Sequence, residues 1–454
     1  MAISTGAGTF LQNYVDPKRG LASRELFVNE EFYQMEQERI FARVWLFIGH
    51  ESQVEKPGDY FVARMGEESV ILSRDRDNTI HVFLNSCRHR GMKVCRYDEG
   101  NTPVFTCPYH GWSYAGDGSL VGVPRYKDAY REELDKSQWG LVEVAQLANY
   151  KGTIWATWDP KAPSFLDYLG GMKTYLETFV DARDGSEGGS EVIVGVQKWL
   201  TPANWKFGAE NRAGDGYHNT SHRSVDLVGI GVSRGQGRRD TNYSAGKTRG
   251  FSASFPESGH SMMATEQLED LPWPPSFQHD KVVAEYAEHA YYERQRRLGT
   301  GARLVLAGGG NVFPNMSFWN QQPRRIGLWQ PAGSAQRSEY WSWVFVDKDA
   351  PQEAKDMMRH YGMRYAGPLG MTEQDDMENW NYASKASKGT IAKRYPYNYG
   401  VALGHANKSD HMPGVITEGT TEQNQLGMYS FWAELMDAGS WDEIYENRER
   451  RAKS

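Results

Sequence analysis

Short runs that alternate apolar and polar residues fill the chain from about residue 44 to residue 159. Tyr60–Ala63, Ser69–Leu72 and Thr79–Leu84 are examples, and turn-forming segments such as Asp75–Asn78 separate them. Alternation with a period of two residues is typical of strands that bury one face. The pattern therefore predicts a small all-β domain over 44–159.

Different patterns flank this region. Apolar residues stand at helical spacing over 29–43, and mixed helical and strand-like segments rich in Trp and Tyr run from 160 to the end. We therefore expect an α+β domain made of 1–43 and 160–454, into which the domain 44–159 is inserted. Residues 231–260 are rich in Gly, Ser and Arg with weak periodicity, which predicts a long loop, either a lid or a surface excursion.

Charge and hydropathy narrow the class of protein. A net charge of −7 does not favour a nucleic-acid partner, and a mean hydropathy of −0.68 without any long apolar run argues against a membrane span. No signal peptide is recognisable at the N-terminus, so we expect a cytoplasmic protein of bacterial type. The chain has three cysteines, too few for a disulfide framework.

Two of the cysteines each stand beside a histidine. The four residues are Cys87, His89, Cys107 and His110. A zinc site uses the same residue types, but zinc fingers usually group the cysteines in one loop and the histidines in another. One thiolate and one imidazole from each of two loops suit a Rieske 2Fe-2S cluster, in which two thiolates bind one iron and two imidazoles the other. Cys95 lies between the two loops, and we expect it to be a packed or free thiol.

A second group of polar residues has helical spacing. Asn211, Asp215, His218 and His222 stand at offsets 0, 4, 7 and 11, which places them on one face of an α-helix. Two imidazoles one turn apart are able to bind one metal ion. The glycines at 214 and 216 weaken a helix by about 1 kcal/mol each relative to alanine.

Iron bound by two histidines needs a third ligand, and a carboxylate completes the set that leaves positions open for oxygen and substrate on Fe(II). Spacing alone does not choose among four acids, which also suit the first turn of a helix without any other role. They are Glu373, Asp375, Asp376 and Glu378.

The two motifs, in this order, resemble the alpha subunit of Rieske non-haem iron aromatic-ring-hydroxylating dioxygenases, the naphthalene, biphenyl and phenylpropionate dioxygenase group. The resemblance covers nearly the whole chain and includes the segments 87–91, 107–112, 373–380 and 427–432. It implies an all-β Rieske domain inserted into an α+β catalytic domain with an antiparallel sheet of the helix-grip, START-like type.

The resemblance also assigns roles to residues. It implies that Cys87, His89, Cys107 and His110 hold the 2Fe-2S cluster, and that His218, His222 and Asp376 hold a mononuclear Fe(II). We assign Asp215 and Asn211 as catalytic residues. In family trimers the acid at the position of Asp215 bridges a cluster histidine of one subunit, here His110, to an iron ligand of the next, here His218. Many naphthalene-type relatives separate the iron histidines by four residues, whereas this chain has three, 219–221.

The implied reaction is cis-dihydroxylation of an aromatic substrate, either a polycyclic arene or an aromatic carboxylate, with O2 as co-substrate. Electrons come indirectly from NAD(P)H through a reductase and a ferredoxin. The implied partner is a small beta subunit in an α3β3 hetero-oligomer, with an α3 trimer as the alternative. A Rieske monooxygenase or demethylase shares every metal ligand and is the alternative function. Two classes of protein other than an enzyme fit the sequence less well. An electron carrier would need the β domain alone, and a ligand sensor would not need the cluster.

The substrate pocket is assigned by the same resemblance. Arg212 stands where relatives often carry an apolar pocket residue, and a guanidinium there is able to pair with a substrate carboxylate. The alternative is an arginine that faces solvent or a structural acid. Gly309, within the run 308–310, and Ala366 fall at pocket walls and suggest a roomy cavity, part of which Trp319 is expected to fill.

Overall fold

A computed structural model of the chain describes residues 9–181, 189–193, 195–228, 246–273, 280–320, 323–367 and 370–453. These residues divide into two compact units. The β unit is Phe41–Phe165, and the α+β unit comprises the described residues up to Ile40 and from Leu166 onward. In the described part of the chain, no helix combines the length and the apolar character that a membrane span requires.

The strands and helices are numbered in chain order. The strands are β1 (Val15–Asp16), β2 (Leu21–Ala22), β3 (Leu46–His50), β4 (Asp59–Met65), β5 (Glu68–Arg74), β6 (Ile80–Leu84), β7 (Glu99–Asn101), β8 (Val104–Thr106), β9 (Ser113–Ala115), β10 (Leu120–Gly122), β11 (Gln146–Tyr150), β12 (Thr153–Thr157), β13 (Ser190–Val192), β14 (Gln197–Thr201), β15 (Thr248–Phe255), β16 (His260–Gln267), β17 (Ala307–Val312), β18 (Met316–Trp319), β19 (Arg324–Ser334), β20 (Arg337–Asp347), β21 (Tyr397–Asn398), β22 (Asn407–Lys408) and β23 (Val415–Glu418). The helices are α1 (Phe10–Asn13), α2 (Glu25–Val28), α3 (Glu30–Glu36), α4 (Phe165–Leu169), α5 (Lys173–Val180), α6 (Trp205–Arg212), α7 (Arg223–Val228), α8 (Lys281–Leu298), α9 (Thr300–Leu304), α10 (Gln352–Ala366), α11 (Met371–Ser387), α12 (Gln423–Asp437) and α13 (Trp441–Lys453).

The β unit consists of small antiparallel sheets, ordered β6-β5-β4-β7, β11-β12-β3 and β10-β9-β8. Strands β4, β5 and β6 coincide with the alternating runs of the sequence, which confirms the all-β prediction for this region. Its core includes Ile71, Phe83 and Phe105, and the thiols of Cys87 and Cys107 are buried in the same cluster.

The α+β unit is built on one antiparallel sheet, to which ten strands of the described part of the chain belong. Their order is β13-β20-β19-β18-β17-β16-β15-β23-β22, and β14 also pairs with β20. Helix α6 packs across β17–β20, while α12 packs on β15 and β16. A Cβ atom at Gly208 of α6 would lie 2.1 Å from Cε3 of Trp329, so glycine permits this close approach of helix and sheet.

A buried ion pair fixes the start of α6. The ammonium of Lys206 donates to the carboxylate of Glu36, which also accepts hydrogen bonds from the indole nitrogens of Trp205 and Trp432, each at 2.8 Å. The carboxylate and the ammonium are both almost completely inaccessible to solvent. Because Glu36 is on α3, Trp205 and Lys206 on α6 and Trp432 on α12, this cluster joins three helices.

The expected long loop over 231–260 is wrong for its second half. Residues 248–255 form β15 and His260 begins β16, whereas 231–245 lie outside the described residues. The small polar residues of β15 give it the composition of a loop. Ser252 and Ser254 are nevertheless buried, and their hydroxyls donate to the carbonyls of Gly419 and Gln423, so polar side chains are satisfied inside the fold.

Candidate metal centres and the adjoining pocket

The two cysteine loops of the β unit have the same backbone hydrogen-bond pattern. The carbonyl of Cys87 accepts from the N–H of Gly91 and that of Cys107 from Gly111, each glycine four residues on and each at positive φ. The N–H of each cysteine donates to the carbonyl five residues on, at 2.9 Å and 2.8 Å. The two loops are therefore built alike, and each fixes one thiol at its base.

The histidine rings of these loops face one another. The ring centroids of His89 and His110 are 4.5 Å apart, Trp112 stacks on His89 with nearly parallel planes, and Tyr109 stacks on His110. Nδ1 of His89 is buried and has no hydrogen-bond partner among the residues that the structure describes. A buried, unpartnered imidazole nitrogen beside two buried thiols is what a ligand to a 2Fe-2S cluster requires, so these residues fit the cluster.

Burial raises the pKa of the Cys107 thiol, and the neighbouring Cys87 thiol raises it further. Burial, together with His110 and Arg90, lowers the pKa of His89 and keeps the imidazole neutral. Neutral imidazole is the ligating form of histidine, whereas the thiols must lose their protons when metal binds.

The polar stripe of the α+β unit does not lie on one continuous α-helix. Helix α6 ends at Arg212, Gly214 adopts a φ of +133°, and a 3-10 helix covers Tyr217–His222. A Cβ atom at Gly214 would lie 2.6 Å from the side-chain nitrogen Nδ2 of Asn424. The φ angle of Gly214 is accessible mainly to glycine. The expected single helix is therefore wrong, because the glycines end it between Asn211 and His218.

The turn nevertheless brings His218 and His222 together opposite helix α11. The two Nε2 atoms are 3.1 Å apart, and Oδ1 of Asp376 lies 3.5 Å from Nε2 of His218 and 3.4 Å from Nε2 of His222. In the described part of the chain these three residues form the candidate metal-binding group. Three ligand atoms around one point fit a mononuclear iron site with two histidines and one carboxylate.

Each iron-site histidine has an oxygen partner on its other nitrogen. Nδ1 of His218 donates to the backbone carbonyl of Asp215, whose carboxylate oxygen Oδ2 is 3.7 Å away, and Nδ1 of His222 is 3.4 Å from Oδ2 of Asp375. Such partners hold the imidazole proton on Nδ1 and direct the lone pair of Nε2 towards a metal. Oδ1 of Asp215 also accepts from the backbone N–H groups of Tyr217 and His218 at the start of the 3-10 helix.

The second oxygen of Asp376 is held from α6. Oδ2 accepts from Nδ2 of Asn211 at 3.2 Å, and Nη2 of Arg212 lies 3.6 Å from it. Burial raises the pKa of Asp376, while the Arg212 guanidinium acts to lower it. The pKa of His218 is raised, because its contacts with Asp215 and Asp376 outweigh the effect of burial.

Comparison with known proteins decides the family. Residues 44–147 match the Rieske [2Fe-2S] domain, and residues 171–438 match the ring hydroxylating alpha subunit (catalytic domain). The biphenyl dioxygenase alpha subunit of Paraburkholderia xenovorans is 35% identical over 446 residues, which cover 95% of this chain and 94% of that protein. The chain belongs to the ring-hydroxylating dioxygenase alpha subunits.

Further relatives agree with this assignment. A benzene 1,2-dioxygenase subunit alpha of Pseudomonas putida is 35% identical over 450 residues and is matched over 96% of each chain. The crystal structure of naphthalene 1,2-dioxygenase from Rhodococcus sp. bound to indole superimposes with a TM-score of 0.81 at 34% identity, covering 92% of this chain and 95% of that one. The predicted family and the predicted fold, a Rieske domain together with an α+β catalytic domain, are thus confirmed.

The alpha subunit is accordingly an oxygenase with a Rieske 2Fe-2S cluster and a mononuclear iron. The biphenyl, benzene and naphthalene relatives, which match it along nearly their whole length, are dioxygenases. This favours a dioxygenase over the alternative of a monooxygenase or demethylase. Of the four acids left open by spacing, the structure places Asp376 against both histidines.

The four predicted pocket residues lie on different strands and helices of the α+β unit. Trp319 on β18 pairs with Gly309 on β17, and the Arg212 guanidinium lies 4.5 Å from the centroid of the Trp319 ring. The Arg212 side chain is 15% exposed, and its Nη2 lies 2.7 Å from Oε1 of the buried Glu373, so it contacts a structural acid. Ala366 is buried at the end of α10.

Three contacts around the site have no signal in the local sequence. Asp375 and Glu373 are two of the four candidate carboxylate ligands, but Asp375 contacts the outer nitrogen of His222 and Glu373 pairs with Arg212. The third is Arg325, whose guanidinium lies 4.8 Å from the Trp319 ring centroid. Its position beside Trp319 depends on strand pairing, which no local motif indicates.

Proposed function

We propose that this alpha subunit cis-dihydroxylates an aromatic ring. The proposal assigns the cluster to Cys87, His89, Cys107 and His110 and the mononuclear iron to His218, His222 and Asp376. The observation that carries it is the convergence of two imidazole nitrogens and one carboxylate oxygen within 3.1–3.5 Å of one another. Iron in such a set supplies O2 activation next to a bound substrate.

Asn211, Asp215 and Asp375 position the side chains of the proposed iron ligands. Asn211 holds the outer oxygen of Asp376, so the inner oxygen stays directed at the histidines. The Asp215 carbonyl and the Asp375 carboxylate hold the outer nitrogens of His218 and His222, which fixes both rings. These contacts supply a preformed site rather than chemistry of their own.

Asp215 has a second proposed role between subunits. Its carboxylate is about one-third exposed and lies beside His218. We infer that it accepts a hydrogen bond from His110 of a neighbouring subunit, and thereby connects the cluster of one chain to the iron of the next. This requires a trimer, either α3 or α3β3 with a small beta subunit. Electrons then enter from a ferredoxin that an NAD(P)H-dependent reductase reduces.

Product analysis tests the proposed reaction. The purified alpha subunit, supplied with its electron-transfer proteins and 18O2, is given naphthalene, biphenyl, their carboxylates and, in a separate reaction, a methoxyarene. A cis-dihydrodiol that carries both labelled atoms supports the proposal. A product with a single labelled hydroxyl, or a dealkylated product from a methoxyarene, would identify a monooxygenase or demethylase instead. The variant Asp376→Ala is the control and is expected to give no labelled product.

A further inference from the structure

Two arginines lie against the same tryptophan beside the iron site. Trp319 on β18 is paired directly with Arg325 on β19, so both side chains project from the same face of the sheet. Arg212 reaches Trp319 from helix α6, which packs on β17–β20. The carbon atoms of both guanidinium groups lie within 5 Å of the ring centroid, at 4.5 Å for Arg212 and 4.8 Å for Arg325.

Arg212 and Arg325 differ in their ion pairing. Arg212 is neutralised by Glu373, at 2.7 Å, and it also lies 3.6 Å from Asp376. In the described ranges no carboxylate lies within 4.0 Å of the Arg325 guanidinium, although this residue is only 8% exposed. One nearly buried positive charge is therefore left without an anion, an arrangement that is costly unless a partner binds.

Hydrogen-bond donors are left over at the same place. Nη1 of Arg325 and Nε of Arg212 are both buried and have no acceptor among the described residues. Buried donors of this kind are normally satisfied, so two beside one aromatic ring indicate a site for an acceptor. A carboxylate matches a guanidinium in shape and charge.

We propose that Arg325, together with Trp319 and Arg212, forms a subsite for the carboxylate of an aromatic substrate. The alpha subunit then selects an arene that carries one carboxylate over its neutral analogue. This inference rests on the proposed function, because it concerns the substrate of the same iron site. Arg325 is the specificity-determining residue, since the charge of Arg212 is already used by Glu373.

The competing explanation is structural. Arg212 contacts Glu373 and Asp376, so its loss would disturb the iron site whatever the substrate. In the part of the chain that the structure describes, Arg325 forms neither a hydrogen bond nor an ion pair with His218, His222 or Asp376, so it gives the cleaner test. A structural role for Arg325 predicts equal loss of binding for charged and neutral compounds, whereas a carboxylate subsite predicts loss for the charged compound alone.

The test compares naphthalene-2-carboxylate with naphthalene-2-carboxamide in the wild type, in Arg325→Gln and in Arg325→Lys. Dissociation constants are measured by calorimetry, and kcat and KM are measured on the same preparations with the cluster and iron contents verified. Arg337→Gln, at an exposed position at the start of β20, is the matched control.

We expect the wild type to bind the carboxylate at least about tenfold more tightly than the carboxamide. Arg325→Gln is expected to reduce this ratio by about tenfold to 100-fold, with the loss in KM rather than kcat, and Arg325→Lys to restore part of it. Arg337→Gln is expected to leave the ratio unchanged.

Two results overturn the subsite: a wild type that binds the two compounds equally, and an Arg325→Gln variant that loses both in parallel. Failure of the proposed function has a different signature. In that case the wild type still discriminates between the compounds in calorimetry, yet it forms no oxygenated product although cluster and iron are complete.

Discussion

Asn211 donates a hydrogen bond from Nδ2 to Oδ2 of Asp376 at 3.2 Å, while the other oxygen of the same carboxylate faces His218 and His222. This contact connects α6 to α11 at the point where the iron ligands meet. Two side chains of α6, those of Asn211 and Arg212, lie next to the outer oxygen of the carboxylate, whereas its inner oxygen faces the two histidines.

We therefore predict that Asn211→Ala weakens iron binding by about tenfold to 100-fold, because the carboxylate loses its neutral hydrogen-bond donor and is left beside Arg212 alone. The measurement is iron retention during competition with a graded series of chelators. Asn407→Ala, on the exposed strand β22, serves as the control. Unchanged iron retention in Asn211→Ala would show that the hydrogen bond does not support the ligand.

Asp215→Asn is predicted to separate electron entry from oxygenation. The amide retains an oxygen acceptor for the N–H groups of Tyr217 and His218 but removes the charge proposed to couple the two centres. We expect dithionite to reduce the cluster normally and product formation to fall by at least about tenfold. Rapid-mixing spectroscopy of the reduced cluster with O2 and substrate follows this directly. Oxidation of the cluster at the wild-type rate would contradict the bridging role.

Lys206→Met is predicted to destabilise the α+β unit by about 3–5 kcal/mol, because it leaves the buried carboxylate of Glu36 without its cation. The double variant Glu36→Gln with Lys206→Met is predicted to recover part of this loss, since no unpaired charge remains. The shift of the unfolding transition in denaturant measures both effects. If the double variant were as unstable as the sum of the two single variants, the charges would not interact as described.

His260 is predicted to make stability depend on pH. Its Nε2 donates to the carbonyl of Tyr168, and its Nδ1 accepts from the N–H of Phe313, so the ring must be neutral in the fold. Burial lowers the pKa of His260 to about 4, below the usual value near 6.5. The unfolded chain binds the proton first as pH falls, so stability is complete above about pH 6.5 and declines down to about pH 4.

The decline attributable to this group is about 3 kcal/mol. His260→Gln keeps one donor and one acceptor without a titrating ring, and is predicted to flatten the decline between about pH 6.5 and 4. Denaturant unfolding of wild type and variant across this interval measures the difference. Parallel curves for the two proteins would rule out His260 as the source.

Most of the proposed metal ligands could be selected from the sequence because their residues are close together in the chain. Cys87 and His89 share one loop, Cys107 and His110 another, and His218 and His222 one turn of the chain. Asp376 was not distinguishable by spacing from Glu373, Asp375 and Glu378, because all four stand near the beginning of one helix. Only the packing of α11 against the 3-10 helix distinguishes Asp376, which faces the histidines, from Glu373, which pairs with Arg212.

Other features depend on long-range packing, which local patterns do not encode. The spacing of Asn211, Asp215, His218 and His222 suits a helix, whereas Gly214 adopts a φ of +133° at a point where Asn424 of α12 leaves no room for a Cβ atom. The pairing of Trp319 with Arg325 is likewise a consequence of strand register. The small polar residues of β15 predicted a loop. Their burial depends on hydrogen bonds from Ser252 and Ser254 to backbone carbonyls that are distant in the sequence.

Two iron centres, each held by its own set of residues, are the central prediction, and metal analysis combined with spectroscopy tests it most directly. Electron paramagnetic resonance is recorded before and after reduction with dithionite, with iron and acid-labile sulfide counted, for the wild type, Asp376→Ala and His89→Ala. We predict about three irons and two sulfides per wild-type chain and a Rieske signal on reduction. Asp376→Ala is predicted to keep the signal with about one iron fewer, and His89→Ala to lose the signal. Zinc in place of iron, or loss of the Rieske signal in Asp376→Ala, would contradict the assignment of two independent centres.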